Sequence, residues 1–141
     1  MTRKLGIADY PIAEKTPEAL RTATGKPLAE LDLAGVRVGR VRLEDLRITE
    51  QALRLQAEIA EAAGRPTLAQ NFRRAAELTA VPQEVIFAVY ELLRPGRARS
   101  RAELEAMAER LEADHAAPLV AAFLREAAVL YEQRRLFGQR F

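Results

Sequence analysis

The stretch Asn71-Phe72-Arg73-Arg74-Ala75-Ala76-Glu77-Leu78-Thr79-Ala80-Val81-Pro82 decides the fold class. Leu68, Phe72, Ala75, Ala76 and Thr79 recur at helical spacing and line one side, while Gln70, Asn71, Arg73, Arg74 and Glu77 crowd the other. Arg73 and Glu77 stand one turn apart, a spacing at which opposite charges pair. Pro82 stops the pattern, because proline lacks the amide that a helix interior needs. The polar side suits binding rather than reaction, and in most chains a charged helix face of this kind is simply solvated.

The same period continues outward from this helix. Thr49 is placed as a cap ahead of Ala52, Leu55, Ile59 and Ala63, and Gly64 and Pro66 mark the stop. The quoted helix should then run from near Pro66 to about Ala80. A third helix is predicted from Pro82, with Val85, Ile86, Val89 and Leu93 facing inward and Arg94-Pro95-Gly96 closing it. Ser100 and Glu103 form a Ser-x-x-Glu pair in which each side chain is expected to satisfy an amide near the other, followed by Leu104, Met107, Ala108 and Leu111. The last helix carries Leu119, Phe123, Ala127, Leu130 and Tyr131, and Pro118 either opens it or kinks a longer helix begun at Ser100. The fold class is therefore all-α. Residues 48–141 are expected to form a compact bundle of about four to five helices.

Residues 1–47 read differently. Gly6, Gly25, Gly35 and Gly39, with Pro11, Pro17 and Pro27, break every apolar period, which predicts an irregular arm with short helices within one folding unit overall. Thr16 is expected to cap a short helix opened by Pro17 and Glu18 and ended by Gly25 and Pro27. Another short helix fits Leu33 to Val38, weakened by Gly35 by about 1 kcal/mol relative to alanine. The stretch from Val36 to Leu43 is the nearest approach to a strand, although Gly39 at its centre makes a lone strand marginal.

Composition limits the function classes. The chain has 141 residues, 49% hydrophobic and 30% charged, without the ~20-residue apolar run needed to span a bilayer. No apolar secretory core follows Met1-Thr2-Arg3-Lys4, so no membrane role and a cytoplasmic location are expected. With no cysteine, disulfides, thiolate metal sites and cysteine nucleophiles are excluded. The pI of about 9.3 suggests nucleic acid, yet 22 Lys and Arg against 20 Asp and Glu leave a net charge of only +2. The one concentrated basic stretch is the Arg94–Arg101 turn, with arginines at 94, 97, 99 and 101. A stand-alone helical module binding nucleic acid through that turn and the Arg73-Arg74 face is the alternative reading.

Chemistry-bearing constellations are scarce. The only histidine, His115, lies beside Asp114 at an expected helix break and reads as a surface or turn residue. Glu103, Glu105, Glu109 and Glu112 alternate with Arg101 and Arg110 as a charged helix face. No glycine cluster follows a strand in the manner of a phosphate loop.

Read in order, Asp9-Tyr10-Pro11, Thr22-Ala23-Thr24-Gly25-Lys26-Pro27-Leu28, Arg47-Ile48-Thr49, Leu53 to Ala60, Asn71 to Pro82, Tyr90, Leu93-Arg94-Pro95 and Ala121 to Ala128 with Tyr131 resemble the small (gamma) subunit of the adenosylcobalamin-dependent diol and glycerol dehydratases. The likeness extends from about residue 8 to about residue 135. Gly35, Gly39, Gly96 and Pro118 depart from the family pattern and bear on local loop shape.

The resemblance implies a non-catalytic chain. In that family the large subunit holds substrate, and its contact with the medium subunit holds cobalamin. Homolysis of the cobalt-carbon bond there starts a radical dehydration of propanediol or glycerol to an aldehyde. No catalytic, cofactor or metal residue is carried onto this chain. The implied partners are the large and medium subunits, in a dimer of three-subunit units. A related helical subunit with a reactivating or scaffolding role is a third reading. Two contact patches are expected: Tyr10-Pro11 in the apolar Ile7–Ala13 segment, lying extended along a partner, and Asn71, Arg73 and Arg74 with Arg94. Only eight residues precede Asp9, so a location free in the bacterial cytoplasm is expected over one inside a bacterial microcompartment, to which a longer leader is linked in the family.

Overall fold

The computed structural model describes residues 3–138. Its described residues form seven α-helices joined by loops and single 3₁₀ turns, with one isolated antiparallel bridge, Arg21 to Pro27, as the sole extended pairing. The helices are α1 (Ile12–Lys15), α2 (Leu33–Arg37), α3 (Glu50–Ala62), α4 (Pro66–Leu78), α5 (Gln83–Leu93), α6 (Arg101–His115) and α7 (Pro118–Gln133). The chain divides into two compact units between Thr79 and Ala80, inside the 48–141 segment that the sequence reading treats as one helical domain.

The first unit is organised by α3. Thr49 caps it by accepting from the Ala52 amide at 3.2 Å, and Gly64, at φ +71°, ends it so that Pro66 can open α4. Its Ala57 and Ala60 pack on Ala69 and Phe72 of α4, small side chains that let two helices approach closely. Its other apolar row, Leu55 and Ile59, is covered by Leu5, Ile12 and Leu20. The N-terminal segment is therefore seated on its own chain, not free. Tyr10 and Pro11 are locally extended, but a 3₁₀ turn (Ile7–Asp9) precedes them and α1 follows.

Of the local expectations in this unit, the cap at Thr16 fails. Thr16 caps nothing: its hydroxyl is buried without a hydrogen-bond partner, and Pro17–Ala19 is a single 3₁₀ turn. The marginal strand potential of Val36–Leu43 is not realised, in keeping with Gly39 at its centre: the Gly35 carbonyl accepts from both the Arg40 and Val41 amides and folds the segment into a tight turn. Gly35 does more than weaken α2. A Cβ there would lie 2.8 Å from Val41 Cγ2 and 2.9 Å from Asp32 Oδ1, the atom that caps Gly35's own amide.

In the second unit, α6 and α7 pack along their length around Leu104, Ala108, Leu111, Val120, Ala121, Leu124 and Ala128. Of the row read off the sequence, Ala127 is buried but Phe123 and Leu130 are 39% and 46% exposed, so the buried row is rotated part-way from it. Pro118 opens α7 rather than kinking a longer helix, since α6 has already ended at Ala116 in a left-handed conformation, φ 49°. The Ser100 cap is one-sided. The Ser100 side chain makes no capping bond, while Glu103 accepts from the Arg99 amide at 2.9 Å. The Tyr131 hydroxyl donates to the Leu93 carbonyl and ties α7 to the end of α5.

Candidate functional site

Two aspartates fix the N-terminal unit. Asp9 and Asp45, 6% and 2% exposed, each close a 3₁₀ turn by accepting from the amide three residues back, Gly6 at 2.8 Å and Arg42 at 2.9 Å. Each also meets a cation. Arg3 holds Asp9 through two bonds of 2.9 and 2.6 Å, and Lys26 reaches both oxygens of Asp45 at 3.0 Å. Thr22, at 3.0 Å, and Thr24 donate their hydroxyls to the same Asp45 carboxylate. The Arg3 hydrogen bond and then the Gly6 amide lower the Asp9 pKa to about 2. The Arg42 amide, then the Thr24 hydroxyl, hold Asp45 well below the usual carboxylate range against the cost of burial. A further long-range bond, from the Leu5 amide to Glu58 at 2.9 Å, fastens the segment to α3.

Among the described residues each partner of these two carboxylates is a donor from the chain itself, so both charges are satisfied internally. The sequence reading quoted the Thr22 to Leu28 loop and Asp9-Tyr10-Pro11 but not Asp45, which lies 19 residues from Lys26. An aspartate three residues after a loop amide was the only local signal.

The expected contact residues occupy different places. Tyr10 is 59% exposed beside half-buried Pro11. On α4, exposed Asn71 accepts from Arg74 at 2.5 Å, and Arg73 pairs with Glu61 of α3 in addition to standing one turn from Glu77. Arg94 is exposed in the second unit and pairs with Glu91 at 3.0 Å. Most of the basic turn is also neutralised locally: Arg97 stands 3.9 Å from Glu91, and Arg101 binds Glu105 and Glu132 at 2.6 and 2.9 Å. That arrangement favours a folded surface over a phosphate-binding stripe.

The strongest surface feature is apolar. Leu33, Val36, Val38, Leu43, Leu46 and Ile48 are each 48% to 76% exposed, within sixteen residues of sequence. Ile7 and Tyr10 add to them in the same unit. Apolar residues exposed singly need no explanation, but six of them within sixteen residues stand out in this unit.

The Nε2 of His115, the sole imidazole, is buried without a hydrogen-bond partner, and no group of three or more His, Cys, Asp or Glu gathers among the described residues. No helix is long and apolar enough to cross a membrane among them either.

The described residues are helical and expose a run of apolar side chains, and the sequence comparison gives the class of the chain. The dehydratase small-subunit profile matches residues 5–137, and the chain belongs to that family. It is 51% identical over 129 residues to the propanediol dehydratase small subunit of Citrobacter freundii, covering 92% of this chain and 74% of that protein. It is 49% identical over 134 residues to the propanediol dehydratase small subunit of Salmonella typhimurium strain LT2, covering 95% and 77%.

Proposed function

We propose that this chain is the non-catalytic small subunit of an adenosylcobalamin-dependent dehydratase acting on 1,2-diols of the propanediol and glycerol class. It packs on and stabilises the large catalytic subunit, in a dimer of three-subunit units, in the bacterial cytoplasm or a microcompartment within it. Propanediol is the favoured substrate, after the names of the two relatives. The observation that carries the reading is the family match over residues 5–137. The apolar exposure of residues 33–48 supports it, since a surface of that kind gains free energy by being covered.

In this reading cobalamin and substrate are held by the other subunits, and the cofactor supplies the radical chemistry. The chain's own residues bind and order a partner. Tyr10 and Pro11 form one contact patch. Asn71, Arg73 and Arg74 form a second on the first unit, and Arg94, in the other unit, is a further candidate contact. The test is co-expression with large and medium dehydratase subunits, followed by size exclusion and a cobalamin-dependent aldehyde assay with and without this chain. A three-subunit complex whose activity or half-life drops on omission is expected; elution of this chain alone would refute the proposal. Deleting residues 1–15 should weaken assembly, because it strips the cover from Leu55 and Ile59 as well as Tyr10 itself.

A further inference from the structure

A cleft of about 280 Å³ opens on the first unit between the Leu20–Leu31 loop and the start of α3. Leu28, Leu31, Leu46 and Ile48 supply apolar walls, and Leu46 and Ile48 remain 59% and 62% exposed. Arg21 and Arg47 line the same cleft. Among the described residues the Arg21 guanidinium donates only to the neighbouring Leu20 carbonyl at 2.9 Å, and neither Arg21 nor Arg47 pairs with a carboxylate. The one acid in the lining, Asp45, is already occupied by Lys26, two threonine hydroxyls and a backbone amide. The cleft therefore carries two uncompensated positive charges over an apolar floor.

We infer that this cleft seats a polypeptide segment of a dehydratase partner subunit in which apolar side chains are flanked by carboxylates, the apolar residues entering between Leu28 and Ile48 and the carboxylates pairing with Arg21 and Arg47. The inference rests on the proposed subunit role and assigns a surface distinct from the Tyr10, Asn71 and Arg94 patches. Charge complementarity argues for the occupant. A purely apolar segment would desolvate two guanidinium groups without compensation, and a purely acidic one would leave the leucine and isoleucine walls wet. Arginine suits the role because its planar donors grip a carboxylate in two places.

The test uses the assembled enzyme. Wild-type chain, the Arg21→Gln/Arg47→Gln double variant and Ile48→Asp are each titrated onto the large and medium subunits at several salt concentrations. Circular dichroism checks that each variant is folded. The double variant should bind about 30-fold or more weakly, as removal of one side of a desolvated charge pair does, and should lose much of the wild-type salt dependence. In parallel, a photo-crosslinking residue at Leu46 should attach to a partner-subunit peptide containing Asp or Glu. Unchanged affinity and salt slope in the folded variants would overturn the cleft assignment, as would attachment only to a second copy of this chain or to a peptide without carboxylates. Failure of wild type to assemble would instead refute the subunit role itself, so the two ideas fail separately.

Discussion

Replacing Ile12 with alanine should detach the N-terminal segment from α3 while leaving the helices formed. Ile12 is 2% exposed and packs in one cluster with Leu5 and Ile59, flanked by Leu20 and Leu55. The substitution removes three carbons, about 2.4 kcal/mol of transfer free energy at about 0.8 kcal/mol per methylene. A residual cavity adds to this, and buried isoleucine-to-alanine changes span about 2–5 kcal/mol. A surface segment can settle partly into the gap, which puts the expected cost near 3 kcal/mol. Hydrogen exchange reads it at a single site. The Leu5 amide is bonded to Glu58 at 2.9 Å, and its protection should fall by up to about 100-fold, the equivalent of 3 kcal/mol. Ile7→Ala, at a residue 63% exposed, should stay within about 0.5 kcal/mol and serves as the control. A loss below about 1 kcal/mol at Ile12, with Leu5 still protected, would show that apolar burial does not seat this segment.

Gly35→Ala should destabilise by about 1–3 kcal/mol in urea unfolding, because the new methyl meets Val41 and Asp32 side chains at under 3 Å; stabilisation would mean that only helix propensity matters there. Ala69→Leu, at a position with 0% exposure against Ala57 and Ala60, should cost about 1–3 kcal/mol and lower the melting temperature, and an unchanged melt would show that the α3–α4 contact has slack. The Asp9 carboxyl falls from an ordinary 3.8 to about 2 on folding, so its stabilisation is present above pH ~4 and is lost as pH falls through about 2. The stability gap between wild type and Asp9→Asn should accordingly be constant from neutral pH down to about 4 and shrink toward pH 2; a gap that persists at pH 2 would contradict the Arg3 and Gly6 assignment.

The long helices were legible because their signals are local. Thr49 acts through its hydroxyl and Gly64, Pro66 and Pro118 through their own backbone geometry, and each stands where capping, left-handed or first-turn positions need it. What sequence could not supply was partner choice across the chain. Periodicity marks Leu55 and Ile59 as apolar, yet only the fold shows that Leu5 and Ile12 cover them. The rotation of the α7 row has a similar origin. Val120, Ala121, Leu124 and Ala128 form a narrower, smaller stripe than Leu119, Phe123 and Leu130, and close helix packing selects the small residues over the large ones. Of the candidate contact residues, the sequence named exposed side chains in Tyr10 and Arg94 but missed the Arg21 and Arg47 cleft, whose walls come from two separate segments, residues 20–31 and 45–52.

The covering of α3 by the N-terminal segment also sets an order of events during synthesis. The Leu5 amide and its Glu58 acceptor are 53 residues apart, so the segment leaves the ribosome well before its seat exists. At about 5–20 residues per second that delay is roughly 3–10 s, far longer than the microsecond collapse of a helical hairpin. During it Leu5 and Ile12 have no native surface to meet, and chaperones or partner subunits already present have first access to them. A chain whose apolar segment must wait for its own helix is exposed to capture at that stage, and supply of its partners in step with its translation shortens the exposure.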